Sequence, residues 1–253
     1  MTTPRYLQIF GLAEIPEIRP GDDLPTLILE ACRRGQVMLQ PSDILIVAQK
    51  IVSKAEGRLV DLNTIAPSAF AQALAENMSK DPRFIEVVLR ESRRIVRGDA
   101  RVLITETHHG FICANAGVDQ SNVPQANSVS LLPVDPDASA ARLRERIRAM
   151  AGIDTAVIVA DTFGRPWREG LVNVALGVAG ITPLRDFRGL ADGHGRSLKA
   201  TVIAVADELC SAAELVMGKD AHQPVAVVRG FVYEKSEGGS QSLLRPPHRD
   251  LFR

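Results

Sequence analysis

The sequence predicts an α/β or α+β fold built on a mixed sheet, and three observations carry that prediction. Short apolar runs rich in Val and Ile, at 43–52 (DILIVAQKIV), 155–162 (TAVIVADT) and 224–231 (PVAVVRGF), are bounded by Gly, Pro or Asp, as buried strands are. Helical patterns with capping residues lie between them. The stretch 100–117 (ARVLITETHHGFICANAG) reads instead as an antiparallel hairpin turning at His109-Gly110, which mixes the sheet directions.

In chain order, 21–35 (GDDLPTLILEACRRG) offers Asp22 or Asp23 as a helix cap, with Pro25 near the first turn. The run at 43–52 is the first strand. Asp81-Pro82 opens a helical pattern over 83–98 (RFIEVVLRESRRIVRG), and the hairpin follows. Asp137 caps a helix over 138–152, the run at 155–162 is the next strand, and 224–231 is the last. The segment 234–253 is polar, Gly- and Pro-containing and poorly periodic, so it is either mobile or laid over another surface. No internal repeat is visible, and the whole of 1–253 reads as one unit.

Composition narrows the function. With 45% hydrophobic residues the chain can bury a large core, and its 30 Lys and Arg balance 30 Asp and Glu, so no excess positive field holds a nucleic acid or an anionic membrane. Cys32, Cys113 and Cys210 lack metal or redox spacing and read as small buried hydrophobes, which suits a reducing compartment. No window reaches the roughly 18 apolar residues of a membrane span. A soluble, cytoplasmic protein is expected.

Three places put polar groups where an apolar strand or hairpin ends, the position at which open α/β sheets hold ligands. After the first strand come Lys50, Lys54 and Arg58, which are either phosphate-binding cations or solvated charges. After the hairpin, Asp119 and Asn122 sit in a loop flanked by Gly117 and small residues; Asp suits Mg²⁺ or Mn²⁺, although both residues also favour Asx turns. At 158–170 (IVADTFGRPWREG) an apolar run delivers Asp161 and Thr162 into a stretch dense in Gly, Pro and Arg, together with Trp167, the single Trp. A carboxylate beside a hydroxyl can bind a metal, as in magnesium-nucleotide sites, or merely cap a helix. Arg165 and Arg168 close by could bind a transferring group. No GxxxxGK[ST] or GxGxxG is present, so a nucleotide would not use either Gly-rich cradle. His108 and His109 read as a surface turn, and the basic 142–150 (RLRERIRAM) as a solvated helix face.

Taken in order, the segments at 15–24 (IPEIRPGDDL), 50–58 (KIVSKAEGR), 116–123 (AGVDQSNV), 131–140 (LLPVDPDASA), 161–170 (DTFGRPWREG), 203–219 (IAVADELCSAAELVMGK) and 224–230 (PVAVVRG) make the chain similar to the coenzyme F420 γ-glutamyl ligases. These attach glutamate to the deazaflavin cofactor precursor. The resemblance implies a two-lobed α/β fold intertwined with its copy as a homodimer. It implies Asp119, Asp161 and Thr162 as ligands of Mg²⁺ or Mn²⁺, with K⁺ as a further cation. It places GTP against Ile15, Pro16, Glu17, Ile18, Gln49, Lys54 and Asn122, and against Met217, Gly218, Lys219, Asp220, Ala221, His222 and Gln223. Lys54 and Arg165 would assist phosphoryl transfer.

Two residues depart from the pattern. Gln49 stands where relatives tend to carry a small hydroxyl residue, and Lys219 where some carry a Gln that helps hold a second metal; an ammonium cannot coordinate a cation. The chain stops soon after 224–230, whereas some bacterial relatives continue into a nitroreductase-like domain, so that second activity is not expected. The implied reaction activates a carboxylate of the F420 precursor with GTP and joins it to L-glutamate. A ligase of the same mechanism on another carboxylate is one alternative, and a non-catalytic nucleotide- or small-molecule-binding protein is another.

Overall fold

The structure, a computed structural model, describes residues 6–121 and 127–251. The chain runs β1 (Gln8–Leu12), α1 (Leu24–Arg34), β2 (Ile44–Ala48), α2 (Gln49–Ala55), β3 (Leu59–Asp61), α3 (Ala69–Met78), α4 (Pro82–Arg90), β4 (Ser92–Gly98), β5 (Leu103–Thr107) and β6 (Ile112–Ala114). It continues through β7 (Ser128–Ser130), α5 (Pro136–Ala151), β8 (Ala156–Arg165), β9 (Arg168–Ala179), β10 (Arg185–Asp186), β11 (Val202–Ile203), α6 (Val205–Met217) and β12 (Val225–Arg229).

The largest sheet has the order β1-β12-β2-β8-β9. Only β2 and β8 are parallel, in register from Ile44 opposite Ala156 to Ala48 opposite Ala160, and the other pairs are antiparallel. The mixed α/β expectation therefore holds. Strand alternation sends Leu45, Val47, Val157, Val159 and Val227 to one face, where they meet α1, α2 and α5. The opposite face, with Ile44, Ile46, Ile158 and Val228, meets Leu209, Cys210 and Ala213 of α6. Each such side chain stabilises the fold by about 2 kcal/mol on burial. A separate cluster gathers α3, α4, β5 and β7 around Ile85, Leu103 and Val129.

Several boundaries differ from the sequence expectation. The run at 43–52 is a strand only to Ala48; at Gln49 the backbone turns directly into α2. The helical pattern at 83–98 ends at Arg90, and Ser92–Gly98 forms β4, because the β-branched Ile95 and Val96 pack as a strand opposite β5. The cap of α5 is Asp135, whose side chain accepts from Ala138 N, with Pro136 in the first turn. Asp137 instead accepts from Val178 N at 2.8 Å and Ser240 N at 2.9 Å. At 158–170 there is neither a loop nor a helix cap: β8 runs on through Asp161 and Thr162 to Arg165 and turns into β9 at Pro166-Trp167.

Two contacts fix the parts that carry the site. Glu56, which ends α2, accepts from Ser139 Oγ and from Arg142 Nη2, each at 2.6 Å, tying α2 to α5. Gly177 lets α5 sit directly on β9, since a Cβ there would lie 2.1 Å from the Pro136 carbonyl oxygen. The tail is laid over the body: Ser240 is buried, Leu244 packs with Phe111, Leu132 and Leu176, and Lys235 Nζ reaches Asp154 at 2.5 Å.

Candidate active site

At the carboxyl ends of the parallel pair, β2 hands over to α2 while β8 continues paired with β9 only, because β2 stops opposite Ala160. The free edge of β8 beyond that point borders a cavity of about 290 Å³. Its walls are the segment before α1 (Ile15, Pro16, Glu17, Ile18), one face of α2 (Gln49, Lys50, Lys54), Asp161 and Thr162, Asn173 of β9, and the end of α6 with its following loop (Glu214, Met217, Gly218, Lys219, His222, Gln223). Residues separated by about two hundred positions thus meet where a twisted open sheet places ligands.

Lys50 and Lys54 lie one helical turn apart and share the cavity face. Lys54 is buried, and its ammonium meets Glu17 Oε1 at 2.5 Å; Glu17 itself is exposed. Lys50 Nζ reaches out to Asp119 Oδ2 at 2.6 Å and Ser121 Oγ at 2.6 Å. Asp119 also accepts from Ser121 N, so the Asx turn expected there does form, and the same carboxylate points at the cavity's lysine. Burial raises the Asp119 pKa, but the hydrogen bonds from Lys50 and Ser121 outweigh it and hold the group below the usual carboxylate range. Arg58 takes no part: it donates to Leu132 O and pairs with Glu91 at 2.8 Å.

Asp161 behaves differently. Desolvation pushes its pKa up to about 6, opposed by the Thr162 backbone N–H and by Lys50 and Lys219, while Asp119 raises it further. Asp119, bonded to Lys50 and outside the cavity lining, is near enough to repel Asp161, and neighbouring carboxylates are hard oxygen donors of the kind a divalent cation takes. Among the described residues no three His, Cys, Asp or Glu side chains come together as a complete protein-only metal site. Mg²⁺ and Mn²⁺ in general need only one or two carboxylates and take their remaining ligands from substrate phosphates and water.

Neighbouring residues of a strand face opposite sides, so Asp161 and Thr162 do not converge on one point. Thr162 Oγ1 donates to Asn173 Oδ1 at 2.7 Å, and Asn173 Nδ2 donates to Glu214 Oε2 at 2.8 Å. Lys219 Nζ donates to Thr162 Oγ1 at 2.5 Å and stands 3.4 Å from Glu214 Oε1, closing a ring of four side chains. Asn173 and Glu214 were not singled out from sequence. Their only signals are an amide amid the apolar 171–176 (LVNVAL) and a carboxylate within the apolar stretch 212–217 of α6.

The remaining expected residues distribute as follows. Gln223 packs its side chain on the β1 backbone, where a Cβ on Gly11 would lie 1.7 Å from its Oε1. Gln49 is buried and accepts from Ser53 Oγ at 2.7 Å. Asp220 and Ala221 belong to the loop after α6 but do not line the cavity. Arg165 lies at the far end of β8, outside the cavity walls, donating to Glu169 O at 2.9 Å. Asn122 falls outside the described residues.

Residues 13–230 match the family model described as F420-0:Gamma-glutamyl ligase, a span that contains every wall of the cavity. The chain belongs to the F420-0:gamma-glutamyl ligase family. Curated ligases of this type are similar to it over nearly their whole length. The coenzyme F420:L-glutamate ligase of Methanopyrus kandleri is 49% identical, with 94% of each chain covered. That of Methanothermobacter thermautotrophicus is 44% identical over 98% of this chain and 99% of its own. That of Methanocaldococcus jannaschii is 40% identical over 98% of both. No helix among the described residues is long and apolar enough to cross a membrane.

Proposed function

We propose that the chain joins L-glutamate to a carboxylate of the F420 precursor, F420-0, in coenzyme F420 biosynthesis, using GTP and releasing GDP and phosphate. Family membership supports the ligase and its two substrates. The nucleotide and the mechanism rest on one observation: cationic side chains from α2 and the loop after α6 face a strand-end carboxylate across one cavity.

A carboxylate is a poor acyl donor, so its oxygen would attack the γ-phosphorus of GTP, breaking the bond to the β-phosphate oxygen and giving an acyl phosphate and GDP. The glutamate α-amine then attacks the acyl carbon, phosphate leaves, and the amine's proton is lost to solvent or to phosphate. Lys54, freed from Glu17, would bind phosphate oxygens, and the segment 15–18 with residues 217–223 would hold the nucleotide. Asp119 and Asp161 would hold Mg²⁺ or Mn²⁺, with Thr162 beside them. When bound, the cation neutralises phosphate charge during transfer. Arg165 would need to reach the transferring group from the hairpin end. K⁺ as a further cation and assembly as an intertwined, two-lobed homodimer belong to the same reading.

The test is incubation of the purified protein with F420-0, GTP, L-glutamate and Mg²⁺ or Mn²⁺, with the product read by mass spectrometry and GDP quantified. The expected result is one added glutamyl residue or more, with GDP release that needs both acceptor and glutamate. GDP released without either would mark a nucleotide hydrolase, and no GDP under any condition a binding protein. Product from a different carboxylate only would mark the sister ligase.

A further inference from the structure

We infer that Lys219 is a tethered cation that serves the Thr162 side of the site, so that each site takes up one divalent cation, at the Asp119 and Asp161 side. The inference rests on the proposed nucleotide reading for the purpose of that charge, but its geometry is independent of it.

Alternation along β8 gives the site two sides: Lys50 is bonded on the Asp119 and Asp161 side and Lys219 on the Thr162 side, while the charge of both lysines reaches Asp161. On the Asp161 side, Lys50 pairs with Asp119, an ion pair of two partly exposed groups that a divalent cation can displace, because both carboxylates gain more from two charges than from one. On the Thr162 side the arrangement differs in kind. The Lys219 ammonium is held by a hydroxyl at 2.5 Å and a carboxylate at 3.4 Å, and both holders are oriented by Asn173. Asn173 accepts from Thr162 through its carbonyl and donates to Glu214 through its amide, so the Thr162 hydroxyl proton is committed to Asn173 and its lone pairs are left facing Lys219. An oxygen lone pair and a carboxylate edge turned toward one point are what a cation needs, and the ammonium already supplies the charge there. A covalently attached cation does not dissociate, and it offers three N–H donors to phosphate oxygens. Glu214 and Asn173 are accordingly positioning residues, which aim Thr162 and Lys219.

Lys219 is 69% exposed along its side chain, so its substitution leaves the fold intact and the count of bound cations becomes the readout. The experiment is a titration of the full chain with Mn²⁺, read by electron paramagnetic resonance of free Mn²⁺ and by calorimetry, alone and with a non-hydrolysable GTP analogue whose own binding is measured separately. The expected result is one tight Mn²⁺ per wild-type chain and two in Lys219→Gln, where an amide oxygen replaces the ammonium. The double variant Lys219→Gln with Glu214→Gln should return to one, because the carboxylate needed by the second ion is gone. Two tight sites in the wild type, or one in both wild type and Lys219→Gln, would overturn the inference. An analogue that fails to bind refutes the nucleotide reading, and the count with Mn²⁺ alone then decides this one.

Discussion

The Lys54 ammonium, buried in α2, is satisfied by Glu17 Oε1 at 2.5 Å from a segment 37 residues earlier, so the cavity's deepest cation is paired to an exposed and replaceable carboxylate. A triphosphate entering the cavity must compete with Glu17 for it. Lys54→Met should therefore weaken GTP binding by about tenfold or more, roughly 1.4 kcal/mol. Glu17→Gln should tighten it, since the competitor is removed. Nucleotide titration by calorimetry reads both, and weaker binding in Glu17→Gln would show that Glu17 contacts the nucleotide rather than guarding the lysine.

Asp161→Asn and Asp119→Asn should each abolish ligation while leaving the fold intact. An amide keeps the shape of the carboxylate and loses its charge, at a cost of about 3 kcal/mol or more in transition-state stabilisation, or at least a hundredfold in rate. In the metal-free protein Asp161→Asn should not lower the melting temperature, because this carboxylate is desolvated and its charge is a burden to the fold. Turnover near the wild-type rate at ordinary Mg²⁺ concentration would remove Asp161 from the metal site.

All three cysteines should resist thiol reagents in the native state. Burial pushes the Cys32 thiol up to about 11 and the Cys113 thiol up to about 12, with the charge of Asp161 adding to the latter, and Cys210 is raised well above its ordinary value, again by burial. Thiolate is the reactive form, so at pH 8 an aromatic disulfide reagent should release almost no chromophore until denaturant is added. Rapid reaction of one thiol in the folded protein would contradict this burial.

Asp137→Ala should loosen the tail and weaken β9 together. Its carboxylate accepts from Val178 N and from Ser240 N, and losing bonds to a charged acceptor costs about 2 kcal/mol or more, equivalent to about 4 to 8 °C in melting temperature. Limited proteolysis should then cut within 234–251 sooner than in the wild type. An unchanged digestion pattern would mean that Leu244 and its neighbours hold the tail without Asp137.

The proposed homodimer has a direct check: light scattering at micromolar concentration should return twice the 27.4 kDa chain mass. Obligate interfaces bury more than roughly 2,000 Å² and resist dilution, so a fully active monomer would exclude the dimer as a requirement.

What could be read from the sequence follows from the range of the forces involved. The strands at 44–48, 156–160 and 225–228 are visible because burial on both faces makes a strand uniformly apolar. The helical reading of 92–98 failed because a short stretch with only Ile95 and Val96 apolar among Arg93, Arg94 and Arg97 carries little period, and its pairing with β5 decided the outcome. Asp161 and Thr162 stood out beside a cluster of Gly and Arg, and the structure adds what spacing could not, their opposite orientations. Glu214 and Asn173 were hidden because their roles exist only across 41 residues of separation, through a hydrogen bond that neither neighbourhood announces.

Because β8 keeps its ladder with β9 past the last residue of β2, Asp161 stays opposite Val174 and Thr162 opposite Asn173, held by backbone hydrogen bonds and not by the composition of a loop. Substitution can retune such a pair, but length cannot change. A single residue inserted into or deleted from β8 before Asp161 would move every later side chain to the other face, turning the carboxylate toward Glu214 and the hydroxyl toward Asp119. The strand should therefore accept new side chains far more readily than a new length, and lineages of this ligase should differ here by exchange of residues with the count from Ala156 to Thr162 kept constant.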